Sequence, residues 1–152
     1  RRALAGEPQA AYDVVIGDAF TDIAVPQHLV TREFFALVRS RLAPDGSYLM
    51  NVIDHTDRLD ALASILRTLD AVFPVVEVWA ERRGRTPGER IVVAVVAGEK
   101  PTPRARYVTR APGPLDFGRL SRDWIAERMA QPDAVLMTDD YAPIDRLMVW
   151  RN

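Results

Sequence analysis

Short apolar segments alternate with helix-like patterns along this chain, and this alternation constrains the possible folds more than any other feature. Residues 12–18 (YDVVIGD) form an apolar run that ends in a carboxylate, which is typical of a buried parallel strand. The apolar residues of 34–42 recur at helical spacing behind Thr31, a residue type that favours helix N-caps. Residues 44–46 (PDG) predict a turn, so that residues 48–53 become the next strand.

The middle of the chain repeats this pattern and then departs from it. Leucines spaced three, four and three residues apart predict a second helix over 59–69, which Thr56 or Asp57 could cap. Residues 75–80 and 91–97 predict two further strands, joined by a charged loop that is too short to hold a helix. Two strands joined in this way are expected to pair antiparallel.

The resulting order, β-α-β-α-β-β, predicts an α/β fold in three layers, with a mostly parallel sheet covered by helices on both faces. The closing antiparallel hairpin resembles the end of the Rossmann-like fold of class I methyltransferase type. Residues 98–117 contain four prolines and predict an extended connection and not a packed element. A last short helix is expected over 120–129, and residues 1–152 are interpreted as a single domain.

The composition excludes several classes of protein. Lys and Arg total 20 against 21 Asp and Glu, a formal net charge of -1, so no electrostatic field favours nucleic acid. With no cysteine and two histidines, the chain offers no disulfide, and a histidine-rich metal site is not expected. No apolar run approaches the ~20 residues that span a bilayer. The start of the chain has no signal-peptide core, and we therefore expect a cytoplasmic location.

The first predicted strand ends in a residue that could carry chemistry. Ligands of open α/β sheets bind outside the carboxyl ends of the strands, which is where Asp18 lies. Asp22 follows four residues later in the same loop. The pair would attract a cationic amine, and a carboxylate could deprotonate that amine for attack. The alternative is that Asp18 caps the following turn and that Asp22 is solvated.

Several ordered blocks of the sequence resemble the spermidine synthase (polyamine aminopropyltransferase) family. Residues 12–18 resemble the family's YDVII-D strand, and residues 29–35 (LVTREFF) resemble its helix start, L-F-T-x-E-F-Y. Residues 42–46 (LAPDG) match its L-x-P-x-G turn. Residues 138–145 (TDDYAPID) resemble the TDD-[YF]-AP-[VI]-D ending of spermidine synthase-like proteins. Together the resemblance covers residues 12–53 and the tail.

The resemblance implies transfer of an aminopropyl group from decarboxylated S-adenosylmethionine to putrescine or a similar amine, with no metal. Asp18 matches the first Asp of the family's D-S-[ST]-D-P motif, which takes the proton of the attacking amine. Asp22 is the nearest match to the second Asp, which binds the diamine, but this sequence is one residue longer there and lacks the Pro. Ala19 occupies the position beside the base that lies close to the nucleoside. Tyr141 could stack on the nucleoside or orient the amine, or it could pack its ring on the core.

One part of the family's pattern is missing from this chain. The cofactor site of the family needs a Gly-rich loop after the first strand, and none of the 8 glycines here forms G-x-G. We therefore expect the carboxyl half of the catalytic domain, inactive alone, with the amino-terminal cofactor-binding half absent. Strand 12–18 would then be an exposed edge. We expect a second copy, most simply in a homodimer, or residues outside this sequence to cover it.

Three other functions stay open on the sequence alone. A methyltransferase of the same fold would use S-adenosylmethionine and methylate a small amine or another nucleophile. A non-catalytic module would keep the fold for binding or dimerisation, and Asp18→Asn would then leave the function of the whole protein untouched. A polyamine sensor would bind the amine through its acidic loop without chemistry.

Overall fold

The computed structural model describes residues 1–19, 25–110 and 113–148, which form an α/β fold around one six-stranded sheet. The strands are β1 (Tyr12–Gly17), β2 (Leu42–His55), β3 (Val75–Glu81), β4 (Arg90–Gly98), β5 (Arg106–Val108) and β6 (Asp116–Arg119). The helices are α1 (Arg2–Ala5), α2 (Arg32–Arg41), α3 (Asp60–Asp70), α4 (Arg122–Met129) and α5 (Ile144–Met148), with a 3-10 turn at Gln27–Leu29. None of the helices in these ranges is long and apolar enough to cross a membrane.

The sheet is mixed, so the expectation of a mostly parallel sheet is not met in the described residues. The strands follow the order β1-β2-β4-β3-β6-β5. Only β1 and β2 pair in parallel, and the other four neighbouring pairs are antiparallel. The short loop between β3 and β4 makes β4 turn back, and β4 then inserts between β2 and β3. The antiparallel pairing of β3 with β4 is confirmed.

Helices cover one face of the sheet. Helix α3 packs against β2 and β3 and contacts α2, α4 and α5, so these helices lie together. The strand residues that face them are buried, among them Tyr48, Val52 and Val95. On the opposite face, Ile16 of β1 is 70% exposed and Val92 of β4 is 53% exposed. The described residues thus form two layers, and a third layer over the open face stays a prediction.

Helix α2 begins where the sequence predicts. Its N-cap is Thr31, whose Oγ1 accepts a hydrogen bond from the backbone N–H of Phe34 at 3.1 Å. The buried face of the helix consists of Phe34, Phe35 and Val38. Because Thr31 is buried as well, this cap holds the start of α2 at the end of the loop that follows Asp18.

The turn predicted at residues 44–46 is a bulge inside β2. Strand β2 begins directly after α2, and its register against β1 shifts between Tyr12 and Val14. Residues 43–46 therefore bulge out of the ladder. A Cβ on Gly46 would lie 2.9 Å from the carbonyl oxygen of Tyr12, so this close approach of two backbones requires glycine.

Helix α3 begins later than expected, and neither Thr56 nor Asp57 caps it. Its N-cap is Leu59, which lies in the left-handed region at a φ of 59° and makes no side-chain cap. The acceptor comes instead from the preceding strand, because Oδ2 of buried Asp54 accepts the backbone N–H of Leu62 at 2.8 Å. All four leucines of the predicted stripe are buried, which confirms the core face of this helix.

We expect Asp54→Asn to lower the free energy of unfolding by about 1–3 kcal/mol. The two oxygens of Asp54 accept the backbone N–H groups of Leu62 and His55, and an amide has one oxygen for these two donors. Denaturant unfolding measures the loss. The control is Asp57→Asn, which removes an exposed carboxylate and should change stability by less than about 0.5 kcal/mol. Equal effects of the two variants would contradict the capping role.

The proline-rich stretch 98–117 is more than an extended connection, which corrects the prediction for it. Strands β5 and β6 form an antiparallel hairpin, and β6 pairs with β3, so this stretch extends the sheet. Tyr107 packs on Trp79 of β3, with ring centroids 5.2 Å apart. Buried Glu77 of β3 accepts a hydrogen bond from Arg119 of β6. These partners lie far away in the sequence, so the local composition of the stretch could not reveal them.

Candidate active site

The carboxyl end of β1 positions Asp18 at the edge of the sheet. Gly17 ends the strand opposite Met50 of β2, and Asp18 follows at the strand exit. Asp18 is exposed, and its Oδ1 accepts a long hydrogen bond of 3.5 Å from Nδ2 of Asn51. Since no other described residue donates to this carboxylate, Asp18 can accept hydrogen bonds from a ligand in solvent.

A cavity of about 300 Å³ lies beside this strand end. Its wall is mostly apolar and consists of Arg1, Leu4, Val15, Ile16, Gly17, Asp18, Ala19, Val25, Leu29, Phe34, Tyr48 and Met50. Among the described residues of this wall, the polar side chains are those of Arg1, Asp18 and Tyr48. The volume lies at the lower end of the range for small-molecule sites, which is roughly 300–1,000 Å³.

The cavity combines an apolar wall with an exposed carboxylate. An apolar wall favours the flat and uncharged part of a ligand. A carboxylate in contact with solvent favours a cationic nitrogen and can accept a proton from it. The site can therefore bind a largely apolar molecule against its wall and a small amine at the carboxylate.

The structure brings together two of the four site residues predicted from the sequence. Asp18 and Ala19 both line the cavity. Asp22 lies outside the described residues. Tyr141 is 58% exposed, its backbone pairs with that of Thr138, and its side chain is not part of the cavity wall. The roles of all four side chains stay predictions.

Three side chains of this region were missed by the sequence analysis. Asn51 lies beside Asp18 because β1 and β2 run parallel, but the register depends on a bulge that the pattern did not show. Arg1 reaches the cavity from the start of the chain, and no local signal predicts this contact. Tyr48 could have been noticed as a tyrosine in a mostly apolar strand segment, where a hydroxyl indicates a polar contact.

An ion pair joins the first residue to the tail near the cavity. The Arg1 guanidinium donates two hydrogen bonds to the Asp139 carboxylate, at 2.7 and 2.6 Å. Thr31 donates to the same carboxylate at 2.7 Å, and the backbone N–H of Asp139 donates to Glu33 at 3.0 Å. The hydrogen bonds from Arg1 and then Thr31 lower the pKa of Asp139 to about 2. Asp139 thus ties the tail to the start of α2.

The low pKa of Asp139 predicts a stability change in acid. A carboxyl group whose pKa falls on folding stabilises the protein above its ordinary pKa of 3.8, and this contribution disappears as the pH falls through about 2. We expect the stability difference between the natural protein and Asp139→Asn to shrink from about pH 5 to pH 2. Urea unfolding across this range measures it, with the exposed neighbour variant Asp140→Asn as control. A difference that stays constant would contradict the assignment.

Comparison with known proteins gives the same family as the sequence blocks. No protein-family model matches the chain. The chain is 27% identical over 169 residues to the "Probable polyamine aminopropyl transferase" of Bifidobacterium longum, and the alignment covers 96% of this chain and 36% of that protein. It is 32% identical over 123 residues to "Polyamine aminopropyltransferase 2" of Streptomyces coelicolor, and this alignment covers 77% of this chain and 20% of that protein. This chain is spermidine synthase-like. The resemblance predicted from the sequence is confirmed.

A solved structure supports the fold of this spermidine synthase-like chain. The crystal structure of a "probable spermidine synthase" from Corynebacterium glutamicum matches with a TM-score of 0.71 at 22% sequence identity. The match covers 88% of this chain and 50% of that one, and it shows a Rossmann-like α/β fold. The chain spans about a third and a fifth of the curated relatives that it matches. The activity and substrates of the whole protein are therefore proposed below.

Proposed function

We propose that the whole protein transfers an aminopropyl group from decarboxylated S-adenosylmethionine to putrescine or a similar small amine. The observation that carries this proposal is the placement of Asp18, which is exposed at the exit of β1 and lines a mostly apolar cavity. The similarity to two proteins named polyamine aminopropyltransferases supports the same reaction.

The proposed reaction is a displacement at a methylene carbon bonded to a sulfonium. Asp18 takes a proton from the ammonium group of the acceptor, which exposes the nitrogen lone pair. This lone pair forms the new C–N bond while the C–S bond breaks, and the sulfur keeps that electron pair and leaves as a neutral thioether. Because a sulfonium is a good leaving group, the main contributions of the protein are positioning and the exclusion of water.

The apolar cavity wall is the proposed contact for the nucleoside part of the donor. Val25 and Phe34 are buried and Leu29 is half-buried, so they offer apolar surface to a flat aromatic base. Ala19 is small, and it would let the nucleoside approach the strand exit closely. The sulfonium carbon would then lie near Asp18.

The acceptor amine is proposed to lie on the solvent side of Asp18. Asp22, in the loop that follows, is the proposed ligand for the second ammonium group of a diamine. Tyr141 is proposed to orient the amine or to stack on the nucleoside. Because its ring is exposed and outside the cavity wall, this role requires the bound substrate to extend beyond the cavity.

Product analysis of the whole protein tests the proposal. Decarboxylated S-adenosylmethionine and S-adenosylmethionine are each incubated with putrescine, and the amines are analysed by mass spectrometry. We expect spermidine from the first donor and no product from the second. Methylated putrescine would show a methyltransferase of the same fold, and binding of putrescine without product would show a non-catalytic module or sensor. Either outcome would overturn the proposal.

Three expectations about the setting of the site stay predictions. For the 152-residue chain alone we expect no turnover, because it contains no G-x-G loop.

A homodimer is proposed because β1 pairs with β2 alone in the described ranges and Val14 and Ile16 are exposed beside that edge. Size-exclusion chromatography with light scattering measures the oligomeric state. A cytoplasmic location is proposed together with this function.

A further inference from the structure

A buried phenol lies beside the strand end that carries Asp18. Tyr48 is 2% exposed, and its side chain is on the helix-covered face of β2. Its hydroxyl reaches the backbone of Gly17, where even a Cβ would lie within 2.9 Å of the Tyr48 Cζ. Gly17 and Tyr48 both line the cavity, so the hydroxyl end of this side chain lies at the cavity wall.

No hydrogen bond joins the Tyr48 hydroxyl to another described residue, and this hydroxyl is not among the fully buried polar atoms without a partner, which are Nε of Arg128 and Oε1 of Gln131. The hydroxyl therefore keeps contact with the space of the cavity, where it can donate a hydrogen bond to a ligand. Packing does not require a hydroxyl at this position. The ring lies between Phe35 and Phe73, at centroid distances of 5.8 and 6.5 Å, and a phenylalanine would fill this space equally well.

The chemistry of the cavity indicates which part of a ligand this hydroxyl would meet. Burial raises the pKa of Tyr48, so the group stays a neutral phenol and provides no negative charge for an ammonium. A cation in this apolar wall would also lose its hydration without compensation. The cationic nitrogen therefore belongs at exposed Asp18, and the phenol suits a neutral polar atom on a flat, mostly apolar group.

We propose that the Tyr48 hydroxyl forms a hydrogen bond with a nitrogen of the heteroaromatic base of the bound nucleoside, and so sets the specificity of the cavity for that base. This inference rests on the proposed function, because it takes the nucleoside donor as the occupant of the cavity. This position of the hydroxyl requires glycine at position 17, since a side chain there would occupy the place of the hydroxyl.

Calorimetric titration of the whole protein with 5′-methylthioadenosine, the thioether product, tests the inference. Tyr48→Phe keeps the ring and removes the hydroxyl, and we expect it to weaken binding by about tenfold. The melting temperature of the ligand-free variant should stay unchanged or rise, because the change removes no hydrogen bond to a described residue. Tyr107→Phe is the control, since Tyr107 lies on β5 outside the cavity wall, and it should bind as the natural protein does.

Base analogues give a second and independent readout. We use the 1-, 3- and 7-deaza forms of 5′-methylthioadenosine, each with one ring nitrogen replaced by carbon, and the analogue without the exocyclic amine. The natural protein should bind one of these analogues about tenfold more weakly than the parent compound. Tyr48→Phe should bind that analogue and the parent equally, because the hydroxyl that distinguishes them is gone.

The outcomes separate this inference from the proposed function. If the natural protein binds 5′-methylthioadenosine and all analogues equally, or if Tyr48→Phe keeps the natural preference, the inference is overturned and the proposed function stands. If the natural protein binds no nucleoside, both are overturned. Should Tyr48→Phe fail to fold, the analogue series on the natural protein still decides, since equal binding of all analogues excludes a hydrogen bond to the base.

Discussion

Asp18→Asn is expected to lower the rate of aminopropyl transfer by the whole protein by about 10²–10⁴-fold, the contribution of a positioned general base. An asparagine keeps the size and the hydrogen-bonding shape of the side chain but cannot take the proton of the attacking ammonium. The fold should be unaffected, because Asp18 is exposed and its contact with described residues is the long hydrogen bond from Asn51. Steady-state rates at saturating donor and amine measure the loss.

The control for this variant is Asp13→Asn. Asp13 is an exposed carboxylate on the same strand, near the end opposite Asp18, so this change removes one charge from β1 without touching the cavity. It should leave the rate within about twofold of the natural protein, as is usual for surface changes. Full activity of Asp18→Asn would exclude Asp18 as the base. Equal losses in both variants would indicate a general charge effect on amine binding.

Gly17→Ala is expected to lower the free energy of unfolding by about 1–3 kcal/mol, as overpacking usually does. The new Cβ would lie 2.9 Å from Cζ of Tyr48 and closer still to its hydroxyl oxygen. Tyr48 cannot move away easily, because it is buried between the rings of Phe35 and Phe73. The strand exit must shift instead, so we expect transfer activity to fall together with stability.

A double variant shows whether the predicted clash is the cause. Tyr48→Phe removes the nearest atom, so Gly17→Ala/Tyr48→Phe should recover part of the lost stability, although Cζ stays close. The control is Gly84→Ala, since a Cβ on Gly84 would meet nothing within 4 Å and the variant should be as stable as the natural protein or more stable. Denaturant unfolding compares all four proteins. A loss in Gly17→Ala no larger than in Gly84→Ala would contradict the packing argument.

Elements with strong local signals were predictable from the sequence. Thr31 as the cap of α2 and the leucine stripe of α3 are local patterns, and both are confirmed. Features that depend on distant residues were not predictable. The cap of α3 comes from Asp54 on the preceding strand, and the pairing of residues 106–119 with β3 depends on partners that are remote in sequence. The insertion of β4 between β2 and β3 likewise depends on which strands pair with β4, and no local pattern determines this.

The candidate site divides in the same way. Asp18 and Ala19 could be placed because ligands of open α/β sheets bind at the carboxyl ends of strands, and both do line a cavity there. Tyr48 and Arg1 were not predicted, since their positions at the cavity follow from strand register and from the docking of the first helix. The ion pair of Asp139 with Arg1 joins residues from opposite ends of the chain, so no local pattern could reveal it.

A crystal structure of the whole protein with both putrescine and 5′-methylthioadenosine bound would test the central claim most directly. We predict the nucleoside in the cavity beside Ala19, and one amine nitrogen within about 2.6–3.2 Å of a carboxylate oxygen of Asp18, the distance that proton transfer needs. A complex in which the amine binds elsewhere, or in which Asp18 points away from both ligands, would contradict the account.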